Sequence, residues 1–102
     1  MSILTHTIPP YYAVIFTSVR TDSQNYNALA AAVLKQAEKQ DGFLGFESAR
    51  NEIGISVSYW KDLKSINAWK EQALHKTAQK SAKEFYTHFR VRVCKVEKEY
   101  GF

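Results

Sequence analysis

One change of rhythm near the middle of the chain restricts the fold more than any other feature. Residues 43–49 and 53–60 alternate with period two and are rich in aromatic and β-branched side chains, with the polar Arg50, Asn51 and Glu52 between them. That pattern is a β-hairpin. Directly after Trp60 the spacing becomes helical: Asp62 stands where an N-cap belongs, and Leu63, Ile66 and Trp69 follow three apart. A hairpin thus feeds straight into a helix, and Tyr59, Trp60 and Trp69 gather at the junction.

The flanks extend this unit without a linker or an internal repeat. Residues 11–20 form an apolar run whose two faces are both mostly hydrophobic, as expected of a strand covered on both sides. Asp22 or Ser23 can cap a helix with Tyr26, Leu29, Ala30, Val33, Leu34 and Ala37 on one stripe and Gln24, Lys35, Gln36 and Lys39 facing away. Asp41-Gly42 terminates it near Gln40. In the second hairpin strand Gly54, Ser56 and Ser58 share one face, small enough for a helix to approach closely or a cavity to open, and Ile53, Ile55, Val57 and Tyr59 share the other. The second helix runs from Asp62 to about Leu74. Continued further, it places Gln72, His75, Gln79, Ala82 and Tyr86 on a stripe of mixed polarity that suits a pocket wall. Residues 87–100 return to period two, which sets Arg90 and Arg92 side by side on one face.

The order βαββαβ builds an α+β, ferredoxin-like fold: a four-stranded antiparallel sheet with its helices on one face. Residues 1–10 read as an N-terminal tail and 11–102 as a single domain. Two helices cover one face of such a sheet. The bare face, apolar in the first strand, needs a partner, and a second copy of the chain supplies one: a homodimer with its sheets face to face is expected.

Composition narrows the function classes. A hydrophobic fraction of 45% in 102 residues is that of a globular domain and excludes disorder. The net charge of +4 comes mostly from residues scattered after His75, which read as a solvated face. The same element order builds the RNA-recognition fold, but the inserted Leu44 changes which of Phe43 and Phe46 share a face, and the motif falls on the second strand; no nucleic-acid partner is expected. Cys94 is the single cysteine and reads as strand packing. No apolar run reaches the ~20 residues of a membrane span, and the N-terminus lacks a leader pattern, so a cytoplasmic protein without a membrane partner is expected. No metal-ligand spacing, phosphate-cradling glycine loop or nucleophile elbow is present, and no cofactor is expected.

Several stretches taken together carry a family resemblance. Gly42-Phe43-Leu44-Gly45-Phe46-Glu47-Ser48, Ile55-Ser56-Val57-Ser58-Tyr59-Trp60, Trp69, His75 with Ala78-Gln79, Phe85-Tyr86 and Arg90-Val91-Arg92-Val93-Cys94 resemble the antibiotic biosynthesis monooxygenase domain family, over nearly all of the chain from Tyr12 onward. The resemblance implies a dimeric α+β barrel. It also implies one of several activities, among them cofactor-independent oxygenation of phenolic or quinol substrates and haem degradation. Haem-degrading members are similar in carrying a tryptophan matched here by Trp69, with an axial histidine ten residues later. Here that residue is Gln79, a poor iron ligand, and no asparagine lies between Tyr11 and Arg20.

The expected activity is a cofactor-independent monooxygenase acting on a small aromatic, phenol- or quinol-like substrate with O₂; a dimeric protein that binds a small ligand without turnover is the alternative. His75, with an ordinary pKa of about 6.5, is the candidate base for a phenolic proton, or else a histidine bonded to a helix-end carbonyl. Trp69 and Trp60 can stack on a planar substrate or fill the core. Tyr59 and Tyr86 can donate hydrogen bonds to a substrate oxygen or serve packing. Arg90 and Arg92 hold an anionic group, meet solvent, or pair with a carboxylate such as Glu47.

Overall fold

A computed structural model describes residues 3–21, 26–72, 76, 79–80 and 82–102, with Tyr26 described by its backbone alone. The elements are β1 (Tyr11–Arg20), α1 (Tyr26–Glu38), β2 (Phe43–Arg50), β3 (Gly54–Trp60), α2 (Leu63–Lys70), a short α3 (Ala82–Phe85) and β4 (Tyr86–Val96). The strands form one antiparallel sheet in the order β2-β3-β1-β4, the ferredoxin-like α+β arrangement. Among the described residues no helix is long and apolar enough to cross a membrane. The expected α1 caps Asp22 and Ser23, and His75 with its neighbours Leu74 and Ala78, lie outside the described residues. Lys76, Gln79 and Lys80 have helical backbone, and Gln79 is exposed.

Local chemistry sets the element ends. Gly42 closes the α1–β2 turn at φ +89°, a conformation that disfavours any side chain. Its carbonyl accepts from Lys61 N–H at 2.8 Å, which ties the entry of β2 to the exit of β3. Asp62 caps α2, its Oδ1 accepting from both the backbone N–H and the hydroxyl of Ser65 at 2.7 Å. Those two bonds hold the Asp62 carboxyl below the usual carboxylate range. The hairpin register slips by one residue between Phe43 and Gly45, so Leu44 bulges out of the ladder and is exposed.

Alternation then assigns every strand residue to a face. Tyr12, Val14, Phe16 and Ser18 pair across to Trp60, Ser58, Ser56 and Gly54, and on the other side to Lys95, Val93, Val91 and Phe89. This face carries the helices. Val14, Ala37, Trp60, Ile66 and Trp69 form its core, with Tyr12, Val33 and Phe43 packed against it. The two indoles stack at 5.0 Å and 28°, and Phe43 meets Trp60 edge-on at 5.4 Å.

The opposite face carries Ala13, Ile15 and Thr17 on β1, Tyr59, Val57 and Ile55 on β3, Gly45, Glu47 and Ala49 on β2, and Cys94, Arg92 and Arg90 on β4. No described helix covers it, and Ile55 stays 48% exposed. Residues 3–10, without helix or strand, are strapped to one end of it. Leu4 N–H donates to Glu47 Oε2 at 2.8 Å, Thr7 Oγ1 to Glu99 Oε1 at 2.8 Å, and the Tyr11 hydroxyl to Glu99 Oε2 at 2.9 Å. The Leu4 side chain lies so close over Gly45 that a Cβ there would meet its Cδ1 at 2.8 Å.

Candidate functional site

The helices are unevenly spread over their face. Among the described residues α1 packs on β2, α2 on β3, and the short α3 on β4. The core therefore sits over the β2–β3–β1 half, and the β4 side is a shelf of apolar side chains. Phe89, Val91 and Val93 remain 49%, 40% and 42% exposed although they point to the same side as the buried Val14. At one end of this shelf three rings meet. Phe16 contacts Tyr86 edge-on at 5.1 Å and Phe89 at 5.7 Å, and Tyr86 and Phe89 are 6.0 Å apart. Phe85, buried, fastens the strand entry beneath them, and its carbonyl accepts from Thr21 N–H at 2.8 Å. The result is a half-exposed aromatic recess with an aliphatic continuation, a surface of the kind on which a planar ring can stack.

The small face of β3 is not the empty floor of this recess. Ser58 Oγ accepts from Trp60 Nε1 at 2.9 Å, and the guanidinium of Arg50 reaches across Gly54 to donate to Ser18 Oγ. A Cβ on Gly54 would run into that guanidinium, so glycine here makes room for an arginine and not for a cavity. Arg50 was legible only as part of the polar hairpin break; the signal for its role is its register opposite Gly54.

The residues singled out from sequence divide between the two faces. Trp60, Trp69 and Tyr86 lie on the helix-bearing side. Trp60 is wholly buried and Trp69 is 8% exposed, so the stacked indoles form the hydrophobic core that anchors α2. Tyr86 is half-buried beside Phe16 and belongs to the recess. Phe16 and Phe89 complete it; their shared phase with Val14 and Val93 was the sequence signal for them. Tyr59, Arg90 and Arg92 lie on the opposite face, separated from Trp69 by the thickness of the sheet. His75 lies outside the described residues.

On that opposite face Glu47 is engaged by the Tyr59 hydroxyl, which donates to Oε1 at 2.6 Å, and by Leu4 N–H. Burial first, then the bond to Glu47 and its charge, push the Tyr59 phenol well above the ordinary tyrosine value. Tyr59 is a structural donor with no tendency to ionise near neutrality. The arginines do not share Glu47 within the chain: both are exposed, and among the described residues neither makes an ion pair. A groove of about 410 Å³ where residues 3–6 meet Gly45 and Phe46 contains none of the singled-out side chains. Among the described residues no cluster of His, Cys, Asp or Glu is arranged to hold a metal.

Comparison with known proteins agrees with this architecture. Residues 10–81 match the family described as antibiotic biosynthesis monooxygenase. The uncharacterized protein YqjZ of Bacillus subtilis (strain 168) is 40% identical over 95 residues, covering 89% of this chain and 83% of the relative. Among solved structures, Rv0793 from Mycobacterium tuberculosis superposes with a TM-score of 0.78 at 13% identity, covering 89% of this chain and 99% of that one. SnoaB, a cofactor-independent oxygenase from Streptomyces nogalater, does so with a TM-score of 0.76 at 9% identity, covering 89% and 97%. At such identities the structures speak for the fold, whereas the family match spans most of the chain: this protein belongs to the antibiotic biosynthesis monooxygenase family.

Proposed function

We propose that the protein is a cofactor-independent monooxygenase that oxidises a small phenol or quinol with O₂ in the recess between the sheet and its helices. The observation that carries this reading is the open ring cluster of Phe16, Tyr86 and Phe89 beside the exposed Val91 and Val93. Apolar walls favour a planar substrate and shed the water that would quench a radical pair. Tyr86 is the described group of the recess able to donate a hydrogen bond to a phenolate oxygen.

The chemistry balances without an added reductant. The phenolic proton passes to His75, which follows the end of α2 by five residues. The phenolate gives one electron to O₂, and the resulting radical and superoxide combine at a ring carbon that still bears hydrogen. The peroxide takes a proton, the same carbon loses its hydrogen as a proton, and the O–O bond breaks. One oxygen leaves as water and the other stays as a carbonyl, so phenol and O₂ give quinone and water. The stacked tryptophans act by holding α2, from which the chain proceeds to His75.

Oxygen uptake with a panel of naphthols and naphthohydroquinones, run against anaerobic controls, tests this. His75→Ala is expected to reduce kcat roughly 100-fold or more with ligand binding retained, since a general base contributes about that much. Tyr86→Phe is expected to cost roughly tenfold. One specific observation favours the reading without turnover: Tyr86 is the only titratable side chain among the described members of the recess. Tight binding of these aromatics with no oxygen uptake by the wild-type protein establishes that second reading in place of the first. In either case we assign the working form as a homodimer, a second copy covering the open face around Ile15, Val57 and Ile55, and sedimentation equilibrium at twice the chain mass is the expected result.

A further inference from the structure

Resting on the reading that a planar aromatic stacks in the recess, we propose that Ser56 determines which aromatic is taken: its hydroxyl bonds a second oxygen on the ring, on the side away from Tyr86. The pairing register orders the helix-bearing face into rows across the strands. Phe46, Ser58, Val14 and Val93 form the row at the margin of the core, with Ser58 and Val14 buried. Two rows further along, Ser18 and the buried Gly54 lie between Arg50 and Phe89. The row between them, Ser48, Ser56, Phe16 and Val91, contains no buried residue. From β2 to β4 it reads hydroxyl, hydroxyl, aromatic ring, aliphatic.

Of the three small residues on this face of β3, two are committed. Ser58 Oγ accepts from Trp60 Nε1, and the room over Gly54 is filled by the Arg50 guanidinium on its way to Ser18. Ser56, between them, is half-buried, and its hydroxyl bonds no described residue. It lies directly across from Phe16, and such opposed residues hold their Cβ atoms about 4.5–5.5 Å apart. Tyr86 and Phe89 meet the Phe16 ring from β4, on the opposite side of β1 from Ser56. A ring stacked here therefore has a phenol toward one edge and an aliphatic hydroxyl toward the other.

The hydroxyl both donates and accepts, so it serves a phenol, ether or carbonyl oxygen equally. A monophenol bonded to Tyr86 turns its bare edge to Ser56 and strips water from a hydroxyl that it leaves unpaired. A ring with oxygens on opposite edges satisfies both residues. That difference is what discriminates, because an unpaired polar group costs more than a made bond gains. Ser48 is one strand further out and exposed, where water satisfies it.

The test compares 1-naphthol with 1,4-naphthohydroquinone, each titrated anaerobically into the protein by calorimetry so that binding is read without turnover. Wild type is expected to bind the diol more tightly by roughly three- to tenfold. In Ser56→Ala the ratio of the two affinities is expected to fall to about one, and in Ser56→Thr, which retains the hydroxyl, to stay near the wild-type value. The ratio is taken within each variant, so any loss of folded protein cancels. Ser48→Ala is expected to leave the ratio as in wild type. A wild-type ratio near one, a preference that survives Ser56→Ala, or a preference abolished by Ser48→Ala instead overturns the inference. Failure of wild type to bind either compound overturns the recess reading on which it rests, an outcome distinct from binding both without preference.

Discussion

Replacing Trp69 by alanine tests whether the stacked indoles are core or substrate wall. Trp69 is 8% exposed and lies 5.0 Å from the fully buried Trp60, so truncation removes nearly a whole indole's worth of burial and opens a void that Ile66 and Val14 only partly fill. Truncations of buried aromatics of this kind cost about 3–5 kcal/mol. A domain of this size has in total about 5–15 kcal/mol, so the variant stands near the edge of folding. With a urea m-value of about 2 kcal/mol/M the midpoint falls by roughly 2 M. Urea denaturation followed by circular dichroism, and by the fluorescence of the remaining Trp60, reads this directly. Trp69→Phe retains a ring against Trp60 and should lose less than half as much. A loss below about 1 kcal/mol at unchanged m for Trp69→Ala would refute the core assignment, because such a value belongs to surface positions.

Further expectations follow from single contacts. Gly42→Ala meets both a positive φ and the Ser65 side chain that completes the α2 cap; it should lower stability by at least about 1 kcal/mol, measured by the same urea titration. The Asp62 carboxyl should titrate by NMR below the ordinary aspartate value. A depressed folded-state pKa means that its cap contribution is fully present above the unfolded aspartate pKa and is lost as pH falls through the folded value, so acid melting should begin with α2 and be blunted in Asp62→Asn. Tyr59 carries the opposite sign. Its raised pKa stabilises the fold below the unfolded tyrosine value and ceases to do so as pH climbs through the folded one, and Glu47→Gln should lower the alkaline midpoint of its absorbance change.

The sequence was most informative where one interaction range was enough. The period-two runs, the helical spacing after Trp60 and the capping aspartate are local, and each appears in its place, although α2 stops at Lys70 and β4 at Val96, short of the expected Leu74 and Tyr100. Leu44 too was visible as an extra residue, and the register shift between Phe43 and Gly45 is its structural form. Long-range register is a different matter. Period two puts Arg90 and Arg92 together, but only their pairing with Thr17 and Ile15 decides that they share a face with Val57 and not with Trp69. In the same way Tyr59 and Trp60 are neighbours in sequence and occupy opposite sides of the sheet. The strap of residues 3–10 left no periodic trace because its bonds run to Glu47 and Glu99, 43 and 92 residues away for Leu4 and Thr7. The face of Gly54, Ser56 and Ser58 looked like space, since nothing local announces that the Arg50 guanidinium fills the room over Gly54 on its way to Ser18 and that Trp60 Nε1 donates to Ser58.

Methyl NMR during titration with a redox-inert naphthol analogue, under anaerobic conditions, tests the location of the site most directly. Saturable shifts of the Val91 and Val93 methyls with accompanying changes in the Phe16, Tyr86 and Phe89 rings, while Ile15 and Ile55 stay unmoved, are the predicted result. Shifts confined to Ile15, Ile55 and Val57 would put the ligand on the arginine-bearing side of the sheet and contradict the account.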